Sequence, residues 1–170
     1  MRNLALALLF TLSFGTSGSQ SATVKPPEPE AIGEVNLLDS SGQALKPLPE
    51  EHWKAEGRPG WTTSTGSIKL SGERSSFRLG ANEKAEFVFK TGTPEAVRLY
   101  LFIQKKDFRY SDLVKVKAGW KPERDFIPSI PVEVTKFGES SYKLAPKSPL
   151  GPGEYGIDLG GRIFTFGIDQ

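Results

Sequence analysis

Leu150-Gly151-Pro152-Gly153-Glu154-Tyr155, followed by Gly156-Ile157-Asp158-Leu159-Gly160-Gly161-Arg162-Ile163-Phe164-Thr165-Phe166-Gly167-Ile168, is the stretch that decides the fold. Apolar residues alternate on both sides of Gly160-Gly161, the pattern of two half-buried strands. A two-residue Gly-Gly link between such runs reads as a primed hairpin turn, whose twist matches that of the strands it joins. That turn places Leu159 opposite Arg162, Ile157 opposite Phe164 and Tyr155 opposite Phe166. A slip of one residue would send the two apolar sets to opposite faces, so the pattern specifies the register. Before the hairpin, a leucine, a Pro-Gly turn and a tyrosine two residues after the glycine mark a corner where the chain crosses between sheets. A tyrosine in such a corner packs its ring in the core and gives its hydroxyl proton to backbone a few residues upstream. Leu150, Gly153 and Tyr155 are the structural residues of this corner, Gly153 supplying freedom in φ.

Upstream, short extended runs alternate with turn residues. Val97 to Gln104 is the clearest. Val97, Leu99, Leu101 and Ile103 share one face, expected to be core; Arg98, Tyr100, Phe102 and Gln104 share the other, expected to be half covered. Pro128 to Phe137 holds a strand with Ile130, Val132 and Val134 on one side. Glu34 to Leu38 ends in the turn Asp39-Ser40-Ser41-Gly42. Gln43 to Leu48 returns as an edge strand, because Pro47 cannot donate to a ladder. Ser67 to Leu70, Ser76 to Leu79, Ala85 to Lys90 and Ser141 to Leu144 are further short strands. Pro49 to Gly66 reads as loop, and Lys105 to Glu123 as irregular chain with room for one helical turn. Helical spacing is nowhere sustained, and 18 Gly and 13 Pro oppose long helices. Seven to nine short strands with turn signals between them predict an all-β, immunoglobulin-like antiparallel sandwich over residues 31–170.

The ending Tyr142-x-Leu144-x-Pro146-x-x-Pro149-Leu150-x-Pro152-Gly153-Glu154-Tyr155, then Phe164-x-Phe166-Gly167-Ile168-Asp169, resembles a recurrent C-terminal signature of uncharacterised exported bacterial β-sandwich proteins. Ile68-x-Leu70-x-Gly72-x-x-Ser75 is similar to that group as well. The resemblance covers about a third of the mature chain. It implies a sandwich fold and a bacterial envelope or secreted location, and it implies no activity, since fold does not determine function.

The N-terminus reads as an export signal over residues 1–21. Arg2 supplies a positive charge, Leu4 to Phe14 an apolar run, and Gly15 to Ala22 a small-residue exit, with cleavage placed after Ser21. The apolar run is too short to cross a bilayer core of ~30 Å, and no other run is long enough, so no membrane span is expected after signal removal. Residues 22–30 follow as a Pro-rich linker, with Pro26, Pro27 and Pro29 favouring an extended tether. The chain has no Cys, which removes disulfides, thiol catalysis and thiolate metal sites. About 149 residues remain after cleavage, enough for a core to suffice without cross-links.

Chemistry is sparse. His52 is the only histidine and sits beside Glu50 and Glu51, where it reads as a solvated loop residue. No serine lies in Gly-x-Ser-x-Gly, and no Gly-rich phosphate loop or calcium loop is present, so no cofactor and no catalytic residue is assigned. A net charge of +2 for the full chain does not suggest a nucleic-acid partner. Two sets of residues are candidates for binding. Trp53, Trp61 and Trp120 lie in expected loops, where an indole reads first as an anchor of a satellite core and second as an exposed face that stacks on sugar rings. Lys105, Lys106 and Arg109 open a basic stretch interleaved with Phe108, Tyr110 and Trp120, diluted by Asp107 and Asp112; it reads first as a solvated edge that blocks strand pairing and second as a surface for an anionic polymer. The expected function is a non-enzymatic exported interaction domain, periplasmic or secreted, whose partner is a protein or envelope component. A carbohydrate-binding module using the tryptophans is the alternative, and a hydrolase with paired carboxylates the third reading.

Overall fold

Alternating apolar runs need two surfaces to bury them, and the chain supplies two sheets. A computed structural model describes residues 26–61, 63–117, 124–126 and 129–170. The expected signal over residues 1–21, the start of the linker and Trp120 lie outside the described residues. The strands are β1 (Val35–Leu38), β2 (Leu45–Pro47), β3 (Glu50–Glu51), β4 (Trp53–Arg58), β5 (Thr63–Ser71), β6 (Arg78–Leu79), β7 (Phe87–Lys90), β8 (Arg98–Gln104), β9 (Phe108–Lys117), β10 (Arg124–Phe126), β11 (Val132–Lys136), β12 (Ser141–Pro146), β13 (Gly153–Leu159) and β14 (Arg162–Ile168). The described helix content is one short 3-10 turn at Pro94–Ala96. The fold is an all-β sandwich.

The smaller sheet runs β11-β12-β7-β1-β2 and the larger β3-β14-β13-β8-β9-β5-β4, with β10 beside β9 and β6 beside β14. Pairing is antiparallel except for the two-residue contact of β6 with β14. The sheets bury a shared core in which Val35, Leu37, Phe87, Phe89 and Leu144 of the smaller sheet meet Leu99, Tyr155, Ile157, Phe164 and Phe166 of the larger. Phe166 lies 4.7 Å from Phe87 and stacks on Tyr155 at 5.2 Å, ring centre to ring centre.

The larger sheet has a second property. Its two boundary strands, β3 and β4, are consecutive in the chain and separated only by His52. A chain advances at most ~3.8 Å per residue, so the two ends of the sheet must be neighbours. The sheet therefore rolls round on itself. Its inner surface holds a second core of Ile68, Leu70, Phe102 and Ile163, with Tyr100 and Leu113 packed against it. This explains why β13 and β14 are buried on both faces: one faces the smaller sheet, the other the inside of the roll.

The hairpin stands as the sequence reads. Leu159 pairs with Arg162, Ile157 with Phe164 and Tyr155 with Phe166. Gly160 and Gly161 both have positive φ, 65° and 85°, the requirement of a primed turn. The Tyr155 hydroxyl donates to the Gly151 carbonyl at 2.8 Å. Gly153 does not have positive φ. A Cβ there would meet Leu101 Cδ1 at 3.3 Å and the Tyr155 ring at 3.4 Å, so its smallness, not its backbone freedom, fits the corner.

Four other expectations change. Pro49 to Gly66 is strand rather than loop: β4 pairs with β5 over six residues. Lys105 to Lys117 holds no helical turn; after a short turn it forms β9, whose long pairing with β5 absorbs a register shift at Gly66/Ser67. Both segments looked irregular because serine, threonine, glycine and lysine dilute their alternation. On β8, Leu101 and Ile103 are half exposed (49% and 48%) while Phe102 is buried, because the smaller sheet ends before Leu101 and the roll claims Phe102 from the other side. The end of the Pro-rich linker is seated on the domain. Pro29 is buried, and the Glu28 carboxylate accepts bonds from the Glu139 backbone and the Ser140 hydroxyl. Burial works against ionisation of Glu28, but these bonds outweigh it and lower its pKa.

Candidate functional site

The candidate binding residues divide into an exposed group and a buried one. Trp53 opens β4 and is 40% exposed; its indole N–H donates to the Gly161 carbonyl at 2.7 Å. It thus fastens the seam of the rolled sheet to the β13–β14 turn. Trp61 lies between β4 and β5 and is 99% exposed, the most exposed large apolar side chain described. Gly60 before it is needed for space, since a Cβ there would overlap the Thr63 carbonyl. The two tryptophans therefore have different roles: one latches the fold, the other is displayed at the end of a paired hairpin.

Lys105 and Lys106 are exposed in the turn between β8 and β9. Arg109, read from sequence as their surface companion, is 1% exposed. Alternation along β9 turns it into the roll, at Leu70 of β5. There it is the centre of a polar network that the sequence did not reveal. Its guanidinium donates to the carbonyls of Gly72 and Ser71, at 3.2 Å each, to Glu51, and to Glu154 Oε2 at 3.4 Å. Glu154, equally buried, also accepts from the Ser75 N–H at 2.7 Å and from Arg78. The Thr165 hydroxyl donates to Glu51 Oε1 at 2.6 Å, so the Ser75 hydroxyl, 2.9 Å away, is the donor to Thr165. Arg78 reaches outward to Asp169 at 2.7 Å, and that bond holds the Asp169 carboxyl below its ordinary pKa against the opposing effect of burial.

Buried charges persist only when paired and hydrogen-bonded. Here each carboxylate oxygen of Glu51 and Glu154 has a donor, and the network ties β3, β9, β13, β14 and the chain before β6 together. A polar cleft of about 270 Å³ lies beside it, lined in part by Arg74, Arg78, Gln104 and Asp169. The only signal in the sequence was Glu154 itself: a charge at an otherwise apolar position of the corner. At the seam, Arg162 bonds Glu50 and lowers its pKa. Among the described residues no group of three or more His, Asp or Glu side chains is placed to hold a metal ion. No described helix is long and apolar enough to cross a membrane.

Compared with known proteins, the chain matches no family model, no curated protein and no solved structure.

Proposed function

We propose that the chain is an exported, non-enzymatic interaction domain of immunoglobulin-like type, whose partner is a protein or an assembly of the bacterial envelope. The single observation that carries this reading is Trp61: an indole 99% exposed at the end of a hairpin whose strands are otherwise fully paired. Large aromatic side chains are the usual anchors of protein interfaces, because they bury much area and lose little conformational entropy on binding. Leu101 and Ile103 add an apolar strip to the larger sheet where the smaller one no longer covers it. The Tyr155 corner supports the immunoglobulin-like assignment.

The test is a photo-reactive residue placed at position 61, compared with one at position 54, an exposed site on the same hairpin. A single adduct of reproducible mass from position 61 alone is the expected result. No adduct, or the same diffuse set from both positions, would remove Trp61 as an anchor. A carbohydrate-binding module is the second reading, since an indole open to solvent also stacks on sugar rings. Saturable quenching of tryptophan fluorescence by a glycan, lost in Trp61→Ala, would decide for it.

A further inference from the structure

One boundary strand of the smaller sheet, β11, pairs with a described strand on one side only. The larger sheet is bounded by β3 and β4, which run on from one another through His52. The smaller sheet ends on one side in β2, three residues long and carrying Pro47, which has no N–H to offer. Its other boundary is β11, five residues long, with β12 as its partner strand. In an antiparallel ladder, bonded and non-bonded pairs alternate. The Phe137 N–H donates to the Ser141 carbonyl and the Lys147 N–H to the Pro131 carbonyl, both at 3.0 Å. The ladder between them then uses the N–H and C=O groups of Glu133 and Thr135 toward β12. Those of Val132, Val134 and Lys136 point outward, where no described strand meets them.

The same three residues line a groove of about 400 Å³ between the two sheets, with Val97, Tyr142 and Arg98 among its other walls. Open backbone groups and open side-chain space thus fall on the same alternate residues of one edge. We infer that β11 is an acceptor for an added strand: an extended, unstructured segment of another protein, apolar at alternate positions and acidic at its ends. Its backbone would complete the ladder of Val132, Val134 and Lys136, and its apolar side chains would fill the groove. Arg98 and Lys136 border that groove, with Glu95 as the opposing charge, which favours acids flanking the segment. A second copy of this chain is a poor occupant, because the side chains its own β11 would contribute, Val132 and Val134, already pack on its own core. Pro131 before the strand and Lys136 at its end discourage indiscriminate edge pairing, the usual defence of a strand left open. The inference does not rest on Trp61.

Amide hydrogen exchange tests it on the intact protein. In the free protein, Val132, Val134 and Lys136 should exchange fast and Glu133 and Thr135 slowly; the opposite alternation, or equal protection, would show the edge to be already filled and overturn the proposal. The probe is a capped peptide, Asp-Thr-Val-Thr-Val-Thr-Val-Thr-Asp. Its addition should slow exchange at the three outward amides at least about tenfold and leave the inward two unchanged. No slowing up to about 1 mM peptide, or self-association with the same alternation on raising protein concentration alone, would each overturn it. Val134→Pro removes the central outward N–H and should abolish the peptide effect; where that variant fails to fold, the alternation in the unmodified protein still decides.

Discussion

The two sheets solve the same problem in opposite ways. The larger rolls until its two boundary strands, β3 and β4, run on from one another, and the space so enclosed contains a buried ion-pair network. The smaller stays open, with an apolar inner face, one edge blunted by proline and one left available. Closure demands that every buried polar group find a partner inside. Openness demands only that an edge be guarded. The difference teaches where change is tolerated: the rolled sheet should be intolerant of charge deletion, and the open sheet should accept backbone alterations on its outer rim.

Breaking the contrast from the closed side gives the largest effect. Arg109→Met leaves half-buried Glu51 without its guanidinium and buried Glu154 with that of Arg78 alone, and should cost about 3–5 kcal/mol in urea unfolding. A loss below about 1 kcal/mol would mean that the network relaxes or takes in water. Leu99→Ala and Leu101→Ala sharpen the comparison within one strand. The first removes a fully buried side chain from the shared core and should cost about 2–5 kcal/mol; the second, half exposed beyond the smaller sheet, should cost under about 1 kcal/mol. Equal losses would place both under cover. Tyr155→Phe removes the bond to the Gly151 carbonyl and should cost about 1–2 kcal/mol, with a neutral result showing the corner to be held by packing alone.

The smallest effect belongs to the open sheet and is seen in acid. The Asp39 carboxylate accepts bonds from the Ser41 hydroxyl and from the Ala44 and Gln43 N–H groups, which lower its pKa to about 2 despite the counter-effect of desolvation. An acid depressed in the folded state stabilises above its ordinary pKa, and that contribution is lost as pH falls through the folded value. The melting temperature should therefore drop between about pH 4 and pH 2, and Asp39→Asn should remove part of that drop. Superimposable pH profiles would show that the turn does not depend on the charge.

Sequence alternation made the last two strands readable to the residue, because both Gly160-Gly161 and the aromatic spacing depend on one register. It also located the core face of β8, but only as far as Leu99. Beyond that point, which face is buried depends on where another sheet ends, a fact of tertiary structure that no local pattern carries. The rolled sheet was hidden for a related reason. The inner faces of β4, β5 and β9 hold Gly66, Ser111 and Arg109 beside Ile68 and Leu70, so a mixed interior looks like a loop. Arg109 was assigned to the surface because charge is usually exposed, and only the partners at Glu51 and Glu154 reverse that rule. Trp61 was legible as lying in a connection but not as exposed, because an indole under a long loop usually anchors a satellite of the core. Trp53, eight residues earlier, was not legible as a latch, because its partner at Gly161 is 108 residues away.

The one-residue step at His52 also sets a timetable for folding. The strand that meets β3 is β14, and the pairing joins residues 112 positions apart. No early portion of the chain can seal the roll, so β4, β5 and β9 must wait as an open curl until residues 162–168 are present. Contacts of such long separation carry a large loop-closure entropy, and chains dominated by them fold in milliseconds to seconds. The hairpin around Gly160-Gly161, made of near neighbours, should be the local nucleus on which the distant strands assemble.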